Sequence, residues 1–196
     1  MTMFERFTKD ARAVVEQAVS EAEASGAARV DTLHLLTAVV DAGHAEEGTG
    51  ALGLLAAVDV APADIAGRVV ELRRHGGLSN VDRRALRDVG IDVDAIVARV
   101  EERHGEGAMA EPTPATGGIR GRRRRIRWHM PFGDGAKRVL QASLRQARDV
   151  RDNYIGSEHV LPALAAVPGP AADVLTDAGA TPERLRRALL QRRLAA

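Results

Sequence analysis

The sequence predicts an all-α protein built from two copies of one four-helix unit. Three observations point to this. Aromatic residues make up only 3% of the 196 residues, against 45% hydrophobic residues. A core with so few rings must be assembled from Ala, Val, Leu and Ile, which suits close-packed helices better than a pleated sheet. Apolar residues recur at three- and four-residue spacings, and no strand signal competes with them. The segment beginning at Phe7 also returns in the segment beginning at Phe132 without a gap: Phe7 meets Phe132, Ala11 meets Ala136, Val14 meets Val139, Ala22 meets Ala147 and His34 meets His159.

Each copy opens with an amphipathic helix. Ala11, Val14, Val15, Ala18, Val19 and Ala22 lie on one helical face. Thr8 stands where an N-cap belongs, just ahead of an acid-containing first turn. In the second copy Ala136, Val139, Leu140, Ser143, Leu144 and Ala147 make the same stripe. A second helix follows in each, with Thr32 and Ser157 expected as N-caps and Leu35, Leu36, Val39 and Val40 facing the core. Pro162 is expected to bend that helix in the second copy or to remove a hydrogen bond. Two shorter helices complete each unit: Ala51 to Ala57 and Pro62 to Arg74, then Ala171 to Ala178 and Pro182 to Arg193, the last capped by Thr181.

The expected organisation is a first repeat at residues 1–75, an insert at 76–130 and a second repeat at 131–196, related by pseudo-twofold symmetry. Within the insert, Val81 to Val89 reads as a helix stopped at Gly90. Asp92 caps another that carries Val93, Ile96, Val97 and Val100 and ends at Gly105. The run from Glu106 to Ile119 is flexible by composition.

Composition excludes several functions. The chain has no cysteine, so it has no disulfide framework, thiol nucleophile or cysteine-based metal site. No apolar run reaches the ~20 residues of a membrane helix. The charged N-terminal stretch lacks the apolar core of a signal peptide, which points to the cytoplasm. No G-x-x-x-x-G-K-[ST], H-E-x-x-H or G-x-S-x-G motif occurs. The string GTGALG from Gly48 to Gly53 fits G-x-G-x-x-G, but no βαβ alternation surrounds it, so the match is accidental. The six histidines lack metal-ligand spacing. A non-enzyme without cofactor or metal is expected.

The stretches FERFTKDARAVV and MPFGDGAKRVL, with VDTLHLL and YIGSEHVL downstream, resemble the Clp repeat. That repeat occurs in tandem in the N-terminal domain of Clp unfoldases, most closely the ClpC type. The likeness covers everything but the insert. It implies a pseudo-twofold bundle of eight helices that does no chemistry and docks adaptors and substrates for ATPase rings. ClpC-type domains also recognise phosphorylated arginine, and in some bacteria they are the target of cyclic peptide antibiotics. The expected role is a free-standing Clp N-domain without ATPase modules, acting as an adaptor or as a decoy. Its partners would be Clp substrates or the Clp machine, phosphoarginine proteins or cyclic peptides. The first repeat departs from the Gly-Thr/Ser-Glu-His element, with Asp31 and Leu33 in place of the glycine and glutamate; Gly156, Ser157, Glu158 and His159 keep it.

The resemblance places candidate ligand contacts at Glu158 and Ser157. A carboxylate in the first turn can grip a guanidinium beside helix-end amides that suit a phosphate. The competing role for Glu158 is that of a dipole-matching acid. His34 and His159 are expected to be packed structural histidines with no carboxylate nearby. The resemblance also implies a peptide-binding face between the repeats, lined by Phe4, Arg12, Phe132 and Lys137. For Phe7 and Phe132 the expected role is that of staples that fix their helices to the core. The acid-free run from Arg120 to Arg127, with Arg122, Arg123, Arg124, Arg125 and Arg127 followed by Trp128, suits an anionic partner or, as the alternative function, a nucleic-acid-associated regulator. Composition favours a solvated basic tether over a nucleic-acid contact.

Overall fold

The computed structural model describes residues 3–41, 49–109 and 130–195, with side chains described from Glu5 to Arg192 within those segments. After a 3-10 turn at Met3–Arg6, the first repeat contains α1 (Lys9–Ala24), α2 (Thr32–Val40), α3 (Gly50–Ala57) and α4 (Pro62–Arg74). The insert contributes α5 (Asn80–Asp88) and α6 (Val93–His104). The second repeat supplies α7 (Asp134–Asp149), α8 (Ser157–Ala166), α9 (Pro170–Asp177) and α10 (Pro182–Ala195). Among the described residues extended pairing is confined to two isolated parallel bridges, so the fold is all-α.

The caps follow local chemistry, with two corrections to the expected ones. The Thr8 hydroxyl accepts from the Ala11 N–H, as its position predicted. The N-caps of α2 and α8 are Asp31 and Gly156, one residue ahead of Thr32 and Ser157. The reason is the histidine at the third position of each helix. His34 Nδ1 accepts from the Asp31 N–H at 3.2 Å, and His159 Nδ1 accepts from the Gly156 N–H at 3.0 Å. The histidines thus do what a capping-box acid usually does. Pro162 does not end α8, which runs through it; the missing N–H leaves the Glu158 carbonyl without its usual donor. Helices α5 and α9 each start and stop one residue earlier than the spacing implied.

The two bridges express the pseudo-twofold relation. Phe7 pairs with Ile155 and Val30 pairs with Phe132, so each repeat's leading segment lies along the loop between the other repeat's first two helices. Thr8 N–H donates to the Ile155 carbonyl at 3.0 Å and Gly133 N–H to the Val30 carbonyl at 2.8 Å. Gly133 suits this close approach, because a Cβ would lie 3.3 Å from that carbonyl oxygen, a tight contact.

The third helices also reach across to the other repeat. Helix α3 packs against α8 and α10 of the second repeat, while α9 packs against α2 and α4 of the first. Ala51 N–H at the start of α3 donates to Ser157 Oγ at 3.0 Å, and Arg184 Nη2 of α10 donates to the Val58 carbonyl at 2.6 Å. One apolar cluster therefore runs through both halves, with Leu35, Leu36, Leu55, Ile65, Leu161, Leu164, Leu175, Leu185 and Leu189 fully buried. Burying a leucine contributes about 2 kcal/mol, so this shared core is the main source of cohesion.

The insert is attached largely by polar contacts. Arg74 grips Glu101 through two bonds of 2.9 and 2.6 Å, and buried His75 contacts Asp94 at 2.9 Å. Arg83 and Arg87 also reach Asp94. The Arg74 guanidinium lowers the Glu101 pKa to about 2. Only Val93 and Val97 of α6 are buried, and α5 buries no residue, leaving Val81, Val89, Ile91 and Ile96 exposed.

Candidate functional site

Two regions answer to the residues singled out in the sequence. The first is the seam between α1 and α7. Phe7, Ala11 and Val15 pack there against Leu140, Ala147 and Ile155, and Phe132 and Leu144 close over them half-buried. Phe7 is a buried staple, as expected, while Phe132 keeps part of its ring at the surface. Arg12 and Lys137 occupy matched positions one turn into α1 and α7, and both are exposed. Lys137 is held only loosely by Asp134 at 3.4 Å. Phe4 falls in the 3-10 turn that leads into this seam, and its side chain lies outside the described residues.

The second region surrounds the start of α8. Gly156, Ser157, Glu158 and His159 are all buried. The Ser157 hydroxyl faces α3, where it accepts from Ala51, rather than capping its own helix. Glu158 folds back over Gly156: a Cβ at 156 would lie 2.1 Å from its Oε2, so glycine is what lets the carboxylate turn inward. There Glu158 Oε1 accepts from Arg192 Nη1 at 2.8 Å. Arg192 Nη2 donates to Asp152 Oδ2, also at 2.8 Å. Nη1 further reaches the Tyr154 hydroxyl at 3.4 Å. The carboxyl side chains are 6% and 2% exposed, while that of Arg192 is 33% exposed. A guanidinium is thus gripped by two buried carboxylates, and it is the chain's own. The hydrogen bonds and the two carboxylates hold the Arg192 pKa above its ordinary value, against the opposing effect of burial.

His159 completes the cluster. Because Nδ1 accepts from the Gly156 N–H, the ring proton lies on Nε2 and points to Asp152 Oδ2 at 3.1 Å. The Tyr154 ring packs against the imidazole in a T-shaped arrangement, with ring centres 5.7 Å apart. Burial pushes the His159 pKa below its usual value despite the nearby carboxylates. The expectation of a structural histidine is met in its packing, but a carboxylate is indeed nearby. The sequence hid it because Ala27 stands at the matching place in the first copy.

In the first repeat the corresponding positions form a different set. Matching Pro62 with Pro182, Ile65 with Leu185 and Val69 with Leu189 places Leu72 opposite Arg192, just as Leu33 stands opposite Glu158 and Asp31 opposite Gly156. Leu33 and Leu72 are both buried in the main core. An apolar pair on α2 and α4 thus replaces the ion pair on α8 and α10, and Asp31, with no carboxylate folded over it, caps its helix instead. A groove of ≈ 540 Å³ remains beside this set, lined in part by Leu33, His34, Arg73 and Met109.

Arg122, Arg123, Arg124, Arg125, Arg127 and Trp128 lie outside the described residues, as does most of the run from Glu106 to Ile119. Among the described residues no group of three or more His, Asp or Glu side chains is arranged to hold a metal ion. No single helix there is long and apolar enough to cross a membrane.

Residues 131–195 match the Clp repeat N-terminal domain family. That match falls on the copy that keeps Gly156 to His159. Over 190 residues, 96% of this chain, the sequence is 32% identical to the chloroplastic ATP-binding subunit ClpA homolog of Brassica napus and spans 16% of that relative. It is also 32% identical over 190 residues to chloroplastic ClpC1 of Arabidopsis thaliana, spanning 96% of this chain and 15% of that one. The fold resembles the N-terminal domain of ClpD from Arabidopsis thaliana, with a TM-score of 0.52, 23% identity and coverage of 100% of this chain and 99% of that chain. It also resembles a chain from preliminary structural investigations of a malarial protein secretion system, with a TM-score of 0.58, 12% identity and coverage of 96% and 95%. The second repeat thus carries the Clp repeat N-terminal domain, and the chain is homologous to the N-domains of ClpC and ClpA proteins and shares their all-α fold.

Proposed function

We propose that the chain is a non-catalytic docking module of the Clp system that binds protein or peptide segments at the seam between its repeats. One observation carries this proposal. Pseudo-symmetry leaves Phe132 half-exposed on the α1–α7 seam, where Arg12 and Lys137 are displayed from matched turns. An apolar patch flanked by two cations suits a hydrophobic peptide that also offers carbonyl or carboxylate acceptors. Such binding needs no cofactor. The module acts either as an adaptor that presents substrates to a Clp ring or as a decoy that sequesters them. Pull-down of a Clp ring supports the adaptor role; ligand binding without ring contact supports the decoy. Titration with a hydrophobic cyclic peptide tests the seam itself. Phe132→Ala and Lys137→Ala should each weaken binding about tenfold while the helical circular dichroism stays unchanged.

A second ligand class is favoured by the grip on Arg192. Glu158 and Asp152 are already spaced to hold a guanidinium, which supports recognition of an arginine-derived group such as phosphoarginine. Titration with free phosphoarginine, comparing the wild type with Glu158→Ala, tests it. The cytoplasm is the proposed compartment; the curated relatives named above are chloroplastic.

A further inference from the structure

We propose that Arg192 is a built-in competitor for the guanidinium seat, so that an external guanidinium ligand binds only after the last turn of α10 gives up Arg192. The inference deepens the guanidinium reading and rests on it. Four observations carry it. The seat is chemically complete without an external ligand, since both buried carboxylates are engaged by Arg192 at 2.8 Å. The occupant is not fully satisfied, because Arg192 Nε is buried with no hydrogen-bond partner. A well-made structural ion pair would use that donor, since an orphaned buried N–H opposes the contact. The occupant can also leave. Leu185 and Leu189 pin α10 to the core, whereas the Arg192 side chain is one-third exposed and is held by its polar contacts. Finally, Arg192 borders open space: it lines a groove of ≈ 460 Å³ together with Thr49, Gly53, Ala57, Ala188 and Gln191, between α3 and α10.

The physical consequence is a reduced apparent affinity. A ligand that must displace Arg192 sees only the fraction of molecules in which the seat is vacant. Chemical rescue tests the idea. Arg192→Ala leaves Glu158 and Asp152 without their cation. Methylguanidinium should then raise the melting temperature of Arg192→Ala saturably, while methylammonium at equal ionic strength should not. Wild type should not respond in the same range, and neither should Glu158→Gln/Arg192→Ala. Free phosphoarginine should bind Arg192→Ala about tenfold or more tighter than wild type. Arg192→Lys, which keeps a cation but cannot fork across two carboxylates, carries the same comparison if the alanine variant is too unstable. Equal responses to methylguanidinium and methylammonium would overturn the proposal. Phosphoarginine binding that is as tight in wild type as in the variants would overturn the competition and leave the phosphoarginine reading standing. Rescue by methylguanidinium with no phosphoarginine binding by any variant would remove that reading and leave Arg192 as the occupant of a guanidinium seat.

Discussion

The carboxylate of Glu158 accepts from the guanidinium of Arg192 at 2.8 Å across α8 and α10. The residues that match these two in the first repeat are Leu33 and Leu72, both buried in the shared core. The same scaffold therefore closes one end with an ion pair and the other with an apolar pair. Buried ion pairs are replaceable by apolar residues when both partners change together, and strongly destabilising when only one does.

That asymmetry gives a first prediction. Arg192→Leu leaves two buried carboxylates facing each other without a cation and should destabilise the protein by about 3 kcal/mol. Glu158→Leu/Arg192→Leu copies the first repeat and should recover a good part of that loss, since Asp152 keeps its bond to His159. Urea unfolding of the two variants decides it; a double variant as unstable as Arg192→Leu would contradict it.

Gly156 should be intolerant of a side chain. A methyl group at 156 would collide with the Glu158 carboxylate and push it off Arg192. Gly156→Ala should cost about 1–2 kcal/mol. In Gly156→Ala/Glu158→Leu the substitution should cost little, because no carboxylate folds back over it. Denaturant midpoints of the pair of variants check this.

Stability should fall on mild acidification. The folded-state pKa of His159 lies below its unfolded value of 6.5. The unfolded chain therefore binds the proton first. The stabilising contribution is complete above pH 6.5 and declines as pH drops from there towards the folded pKa. Protonation would also set a new N–H at Nδ1 against the Gly156 N–H. Melting temperatures measured between pH 7.5 and 5 should show a smaller drop in His159→Asn than in wild type.

The insert should detach without disturbing the repeats. Glu101 holds Arg74 and also accepts from Gly107 N–H at 3.0 Å. Glu101→Gln removes the charge at the centre of those contacts. Amide exchange in α6 should speed up while that of α2 and α8 stays unchanged. Unchanged protection in α6 would show that Val93, Val97 and the His75–Asp94 contact anchor it without Glu101.

Much of this arrangement was written in local spacing. The amphipathic stripes placed α1 and α7, and Pro62 fixed the start of α4, because these signals lie within one element. The caps of α2 and α8 were misplaced by one residue. Thr32 and Ser157 have capping hydroxyls, but His34 and His159 take the amide that defines the cap. The packing of α3 and α9 across the two repeats left no mark in the sequence, since Ala51 and Ser157 belong to different copies. Arg192 was missed because its partners Asp152 and Glu158 are far away in sequence. Extending the repeat alignment through α4 and α10 exposes it: where Glu158 becomes Leu33, Arg192 becomes Leu72.

The most direct test of the docking proposal is an amide and side-chain NMR titration of the whole chain with a hydrophobic cyclic peptide. Saturable shifts centred on Phe132, Arg12 and Lys137, lost in Phe132→Ala, are expected. Shifts that never saturate, or that gather away from the α1–α7 seam, would contradict it.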